Sequence, residues 1–349
     1  MTLAEAFRRQ AAACEALGSP FMARLMGLCA ERLRPDHGPI AARLFAWRGD
    51  VSAAGHSLPL RLAGGLHALR LRGHGDLAKV YPPHAVPNDQ LWATVSAVIR
   101  AEASTLDRWL DSPPQTNELR RAAVVRAVAQ WLTALDGLPM EVLELGASAG
   151  LNLNFDRFAL NLGGKRFGPH DPVITLAPAW TGAHPPDAEP VITDRAGVDL
   201  APVDPASERM RLMAYLWPDQ MDRLARMDAV LTLPAQPVDR GDAADWLETR
   251  LIAPQPANTR RFIYHTIAWQ YFPPDTDLRA RAALDRAGQA ATAARPLAIF
   301  GMESDGQAPG AALTLRLWPG DHRVELGRVD FHCRWVDWRA PSGISHGPR

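Results

Sequence analysis

Along the first 110 or so residues the apolar positions recur every three to four residues, the spacing of one helix face. Phe7, Ala11, Cys14 and Leu17 make one stripe and Phe21, Leu25, Leu28 and Cys29 a second, separated by Gly18-Ser19-Pro20. The same period predicts helices over 40–47, 58–71, 91–110 and 118–135, with Pro82-Pro83, Pro113-Pro114 and Pro139 as breaks. After Pro139 the pattern changes. Short apolar runs at 141–145, 196–200, 236–240, 261–265 and 296–301 alternate with helical stretches at 150–157, 208–227, 243–251 and 277–294. That alternation is the mark of a parallel sheet built from crossover units. Three last runs, 313–318, 323–328 and 331–338, follow one another without helices and predict antiparallel strands at the sheet edge.

This pattern divides the chain into an all-helical domain over 1–112 and an α/β domain over 113–349, the latter with an insertion at about 158–193. The insertion is rich in Gly, Pro and short β-like runs, and segments of this kind in a compact domain usually carry function. At 349 residues, 47% hydrophobic and 22% charged, the chain has the composition of a folded globular protein. Lys+Arg and Asp+Glu both number 38, so no global basic field recruits nucleic acid or an anionic membrane. Cys14, Cys29 and Cys333 offer neither a disulfide framework nor zinc spacing, and the reading assigns no metal. The first ten residues contain no continuous apolar run, and no run elsewhere suits a bilayer span. A cytoplasmic protein is expected.

The richest segment runs from Val142 to Asn152: an apolar strand containing Glu144, a turn Gly146-Ala147-Ser148-Ala149-Gly150, then Leu151-Asn152. A dinucleotide fingerprint fails on spacing, because positions 146, 148 and 151 are Gly, Ser and Leu. The turn fits a G-x-S-x-G nucleophile elbow, with Ser148 as nucleophile and Asp242 with His265 or His332 downstream. An ordinary strand-to-helix turn without a ligand is the bland alternative. The segment also resembles motif I of the class I S-adenosylmethionine-dependent methyltransferases, an acid and a spacer before Gly-x-Gly-x-Gly, with serine at the central glycine.

That resemblance implies a Rossmann-like fold, with a mostly parallel sheet and an antiparallel C-terminal edge, and S-adenosylmethionine as cofactor. It implies that Glu144 orients the loop, that Gly146, Ser148, Gly150 and Asn152 shape the cofactor turn, and that Asp199 binds the ribose hydroxyls. Asp242 would meet adenine, although an Asp there also suits a helix N-cap. His265, closing the fourth strand, would be the catalytic base, with Trp269 and Tyr271 beside the acceptor. Gln115, Thr116, Asn117 and Glu118 precede the helix that runs beside the cofactor and would contact cofactor or acceptor, or simply cap that helix.

Nearly end to end, the chain is also similar to a bacterial family known as a domain of unknown function and grouped with methyltransferase-like folds. The likeness is carried by Phe7-Arg8-Arg9-Gln10, Leu58-Pro59-Leu60-Arg61-Leu62, Gln115–Glu118, Leu145–Asn152, Trp217-Pro218-Asp219-Gln220 and Trp269-Gln270-Tyr271. The expected function is methyl transfer to a small molecule. The alternatives are a catalytically inactive methyltransferase-like binding protein and a serine hydrolase using Ser148. The insertion, with Arg166, His170, Trp180 and His184, is expected to help form the acceptor pocket.

Overall fold

A computed structural model describes residues 1–114 and 117–341. The chain divides into two units: one holds residues 1–114 with Ala206–Asp228, the other Asn117–Pro205 with 229–341. In the first unit the predicted stripes are helices. Leu3–Ala16 opens with a capping box, in which the Thr2 hydroxyl accepts from the Glu5 N–H and the Glu5 side chain accepts from the Thr2 N–H. Leu58–Leu71 is buried around most of its circumference, as an element central to a helical core must be.

The segment Ala206–Asp228, which sequence reading assigns to the α/β domain, belongs to this helical unit. Its predicted single helix is two, Arg209–Ala214 and Met221–Val230, parted at Trp217-Pro218. Proline has no N–H to continue a helix. The next residues hold the break between the first two helices. Asp219 accepts from the Ser19 hydroxyl at 2.5 Å and the Phe21 N–H at 2.9 Å, and Gln220 Nε2 donates to the Leu17 carbonyl at 3.0 Å.

The second unit contains strands β1 (Met140–Leu145), β2 (Phe158–Leu162), β3 (Lys165–Phe167), β4 (Ile174–Leu176), β5 (Ala179–Gly182) and β6 (Ile192–Asp199). Then follow β7 (Val238–Arg240), β8 (Arg260–Thr266), β9 (Leu297–Glu303), β10 (Ala311–Trp318), β11 (His322–Val329) and β12 (Trp335–Trp338). Nine of them form one sheet in the order β5-β12-β11-β10-β9-β8-β1-β6-β7. The five from β7 to β9 are parallel, and β10, β11 and β12 then alternate direction. The fold is therefore α/β, mostly parallel at its centre with an antiparallel edge. The chain lays β6 and β7 to one side of β1 and β8 and β9 to the other. Strand order thus reverses at β1, and the carboxyl ends of β1 and β8 flank the crevice where open α/β sheets bind ligands.

Both central strands are buried along their whole length, the reason their middles, Val142-Leu143 and Phe262-Ile263, are apolar. Leu143, Leu145 and Ile263 pack on Ala280, Ala283 and Leu284 of the helix Pro274–Ala290. On the opposite face Phe155 meets Phe262 and Tyr264 edge-on. At the amino end Glu141 is neutralised by Arg261, with Nε at 2.7 Å, and by Arg250 at 3.3 Å.

The turn after β1 leads not into an α-helix but into a seven-residue 3-10 segment, Leu151–Arg157, broken at Asn154. It is too short to offer a helix dipole. The insertion makes its own sheet, β3-β2-β4, and then adds β5 to the far edge beside β12. Its polar residues are engaged there. Trp180 packs on Trp338 at 5.4 Å, His184 meets Phe167 at 5.6 Å, and Arg166 donates to the Pro169 and His170 carbonyls at 2.7 and 2.6 Å. They tie the insertion to itself and to β12 rather than to the turn after β1. Among the described residues no helix is long and apolar enough to cross a membrane.

Candidate functional site

The turn after β1 is held in an unusual shape by its neighbours. Gly146 and Ala147 donate their N–H groups to the Val198 carbonyl at 2.9 and 3.0 Å, pulling the turn across the end of β6. Gly146 has φ +71°, and a Cβ there would lie 2.4 Å from the Ala268 Cβ, so only glycine fits. Ser148 also sits in the left-handed region, at φ +53°, where a non-glycine residue is strained. Asp199 secures it: Oδ2 accepts the Ser148 N–H at 2.9 Å while Oδ1 accepts the Ala201 N–H at 2.9 Å.

Asn117 Nδ2 donates to the Ala147 carbonyl at 3.3 Å, and Asn152 Nδ2 to the Glu118 carbonyl at 3.5 Å. Asn117 is thus no helix cap; it stitches the segment before the helix Ala122–Asp136 to the turn, while Glu118 caps the short 3-10 turn Leu119–Arg121. A carbonyl can only accept, so both amide nitrogens are identified and each Oδ1 is the end left over. Those two oxygens and Ser148 Oγ are buried with no hydrogen-bond partner in the chain, and Glu144 Oε2 and the Tyr264 hydroxyl are buried with only each other to pair with.

Register places Glu144 beside Tyr264. Burial pushes the Glu144 carboxyl up to about 8; the Tyr264 hydroxyl opposes this, the Asp199 charge adds to it, and Arg121 opposes it. Tyr264 is raised too, by burial first and by Glu144 second. The contrast with Glu141 on the same strand is informative: one acid is paired with two arginines, the other faces the Tyr264 hydroxyl and has no salt bridge among the described residues. Polar groups left in this way at a switch point mark a ligand site.

A second group lies on the other face of the sheet. Leu145 is the register partner of His265, so His265 and Tyr264 point to opposite faces. His265 Nδ1 lies 2.8 Å from Glu303 Oε1, which also accepts the Ala268 and Trp269 N–H groups at 2.9 and 3.0 Å. Burial alone would raise Glu303, yet the His265 bond and charge and these two N–H groups hold it below the ordinary carboxylate value. Ile267, a β-branched residue at φ +52°, carries the chain between the two groups. His265, Gly301, Glu303 and Thr314 line a cleft of about 690 Å³.

A family model described as an uncharacterized protein conserved in bacteria (DUF2332) matches residues 4–338. The chain belongs to this family. A search of curated proteins finds no match. The description of DUF2332 names no reaction, so in this DUF2332 member the chemistry must be read from side chains.

The other residues singled out from the sequence are placed as follows. Asp242 caps the helix Ala243–Arg250: Oδ1 accepts the Ala244 and Asp245 N–H groups at 2.8 and 3.3 Å, and Oδ2 accepts the Thr276 hydroxyl at 2.6 Å. Trp269 packs against His265 with the rings tilted by 43° and their centroids 4.8 Å apart, and it donates to Asp277. Tyr271 is 71% exposed and lines neither group. Gln115 and Thr116 lie outside the described residues. Sequence reasoning missed Tyr264, Arg121 and Glu303. Arg121 anchors the end of β8 by donating to the Thr266 carbonyl at 3.0 Å. Glu303 was legible as an acid just past a predicted strand; Tyr264 was not, because its neighbour in space is 120 residues away in sequence.

Proposed function

We propose that this chain binds S-adenosylmethionine at the turn after β1 and is a methyltransferase acting on a small molecule, with a class I methyltransferase-like fold. One observation carries the reading. Of these five buried atoms, Asn117 Oδ1 and Asn152 Oδ1 accept, as does Glu144 once ionised, while Ser148 and Tyr264 can do either. Such a lining suits a ligand that brings N–H donors and positive charge, and it suits phosphate badly. A sulfonium with an α-ammonium group is such a ligand.

Glu144, Asn117 and Asn152 would face the cationic end. Asp199 keeps a free lone pair on each oxygen after its two N–H bonds and would take the ribose hydroxyls. Asp242 keeps its capping task. When bound, the cofactor supplies an electrophilic methyl group on sulfur. The chain's part is to bind, to exclude water through burial of the turn, and to orient the acceptor, where positioning contributes most.

The hydrolase alternative has one supporting feature, the strained Ser148. Against it, Ser148 Oγ has no base bound to it, His265 is held by Glu303 on the other face, and no strand precedes β1 among the described residues. A binding protein without catalysis would share the cofactor pocket and would show no turnover. The test is thermal: S-adenosylhomocysteine at a hundred times its dissociation constant should stabilise the protein by about 2.7 kcal/mol. Absence of any shift at millimolar ligand, with the protein folded, removes the reading.

A further inference from the structure

His265, the base expected from sequence, points to the sheet face away from Glu144 and Tyr264, and Glu303 holds it there. A second histidine–glutamate pair lies on the side of the turn. His332 Nδ1 stands 3.8 Å from Glu118 Oε2, a contact of the length such pairs show before a substrate closes on them. The Glu118 side chain is 2% exposed and that of His332 16%, so the carboxylate is the inner partner and the imidazole the outer one. Nδ1 faces the carboxylate. That makes Nδ1–H the favoured tautomer and directs Nε2, the basic nitrogen, away from it.

Contacts from both sides bring this pair to the turn after β1. Asn117 and Asn152 tie the Glu118 segment to the turn, through the Ala147 and Glu118 carbonyls. Arg121, three residues on, donates Nε to the Phe331 carbonyl at 3.1 Å and Nη1 to the Thr266 carbonyl at 3.0 Å. The loop that carries His332 leaves β11, four strand positions or about 19 Å from β1. One guanidinium thus draws it back to the carboxyl end of β8, the neighbour of β1. Asp330 shapes the loop: its carboxylate accepts the His332 N–H at 3.0 Å and its carbonyl the Cys333 N–H at 2.7 Å. Cys333 sits at φ +54°, in the left-handed region, as Ser148 does at +53° and Ile267 at +52°. Strain of this kind gathers where chemistry is done, and three loops that carry it converge on one edge of the sheet.

The surroundings select what the pair can act on. A histidine with its ordinary value of about 6.5 can take a proton from a phenol at about 10, but not from an aliphatic hydroxyl, close to water at about 16. A carboxylate acceptor needs no base, and an ammonium would add a positive charge beside Arg121 and the sulfonium. Arg121 instead favours the charge that develops on a phenol oxygen. Phe331, next to His332 and 37% exposed, adds apolar surface for a ring.

We propose that His332 is the base that takes the O–H proton of a small phenolic acceptor, with Glu118 as the positioning residue that fixes its tautomer. The freed oxygen pair forms the O–CH3 bond, the C–S bond breaks with its pair left on sulfur, and the proton passes from His332 to solvent. The methyl step rests on the cofactor reading; phenol binding and the tautomer do not.

The test uses the full chain with ¹⁵N-labelled histidine and 4-nitrophenol as the probe. The phenol is titrated below its own ionisation midpoint, with and without S-adenosylhomocysteine. By NMR, His332 should be the Nδ1–H tautomer, and Glu118→Gln should mix in the other. By absorbance, bound 4-nitrophenol should appear as phenolate and saturate, and His332→Gln should reduce that signal about tenfold or more. Circular dichroism checks that the variants are folded, and His332→Asn replaces His332→Gln if it is not. An Nε2–H tautomer in the unaltered protein, no phenolate signal, or an equal signal in the folded His332 variant would overturn the proposal. S-adenosylhomocysteine binding without a phenolate signal sinks this proposal alone; a phenolate signal without S-adenosylhomocysteine binding sinks only the cofactor reading.

Discussion

Glu144 is the residue on which the account turns, because a buried acid without a salt bridge has a measurable signature. Its folded value of about 8 stands above the ordinary 4.5. Between those values the folded protein holds a proton that the unfolded chain has released, so stability is full at low pH and declines as pH rises through the window. Glu144→Gln should therefore remove a decline of about 2–4 kcal/mol between pH 5 and 9, read from denaturant midpoints. An unchanged pH profile in the variant would show the acid to be solvated or paired. Two residues away the constraint is steric. Gly146→Ala should cost about 3 kcal/mol or more, since it adds left-handed strain to a close approach on Ala268. Ser148→Gly should cost nothing or stabilise slightly, because glycine adopts φ +53° without strain. If Ser148→Gly destabilised as much as Gly146→Ala, the serine hydroxyl would have a role in the fold.

Among the elements, those written in strong periodic patterns were legible and those set by long-range packing were not. Strands at 141–145 and 261–265 stood out as apolar runs and are β1 and β8, each extended by a residue or more. The element after the turn was misjudged, since Leu151-Asn152-Leu153-Asn154-Phe155 has helical spacing but ends within two turns on β2. The candidate site was half legible. Glu144, Gly146, Ser148, Asn152 and Asp199 come together, as does Asn117; Tyr264 joins them only through register. Asp242 illustrates how one residue type serves two purposes. Its carboxylate ties the helix Ala243–Arg250 to Thr276. Asp242→Ala should lower stability by about 1–2 kcal/mol and leave S-adenosylhomocysteine affinity unchanged, as calorimetry would show. A tenfold affinity loss would instead return Asp242 to the ligand.

At the scale of the whole molecule, Trp217-Pro218-Asp219-Gln220 shows why chemistry-bearing residue types need not mark a site. Asp219 and Gln220 stand in a segment that carries the family likeness, and they fasten Ala206–Asp228 to the first two helices. Asp219→Ala should destabilise the helical unit by about 1–3 kcal/mol, since it leaves the Ser19 hydroxyl and the Phe21 N–H without their acceptor. Hydrogen exchange would locate the loss in Leu3–Ala16 and Pro20–Arg32; a loss spread evenly over the sheet would contradict this. The central claim, that the turn after β1 receives a cation, is tested most directly by calorimetry of S-adenosylmethionine binding at pH 7 in buffers of different ionisation enthalpy. Glu144 is protonated there without ligand, and a cation beside it should expel the proton. The account predicts release of about one proton on binding by the unaltered protein and about none by Glu144→Gln. Binding with no proton release in either protein, or no binding at all, would contradict it.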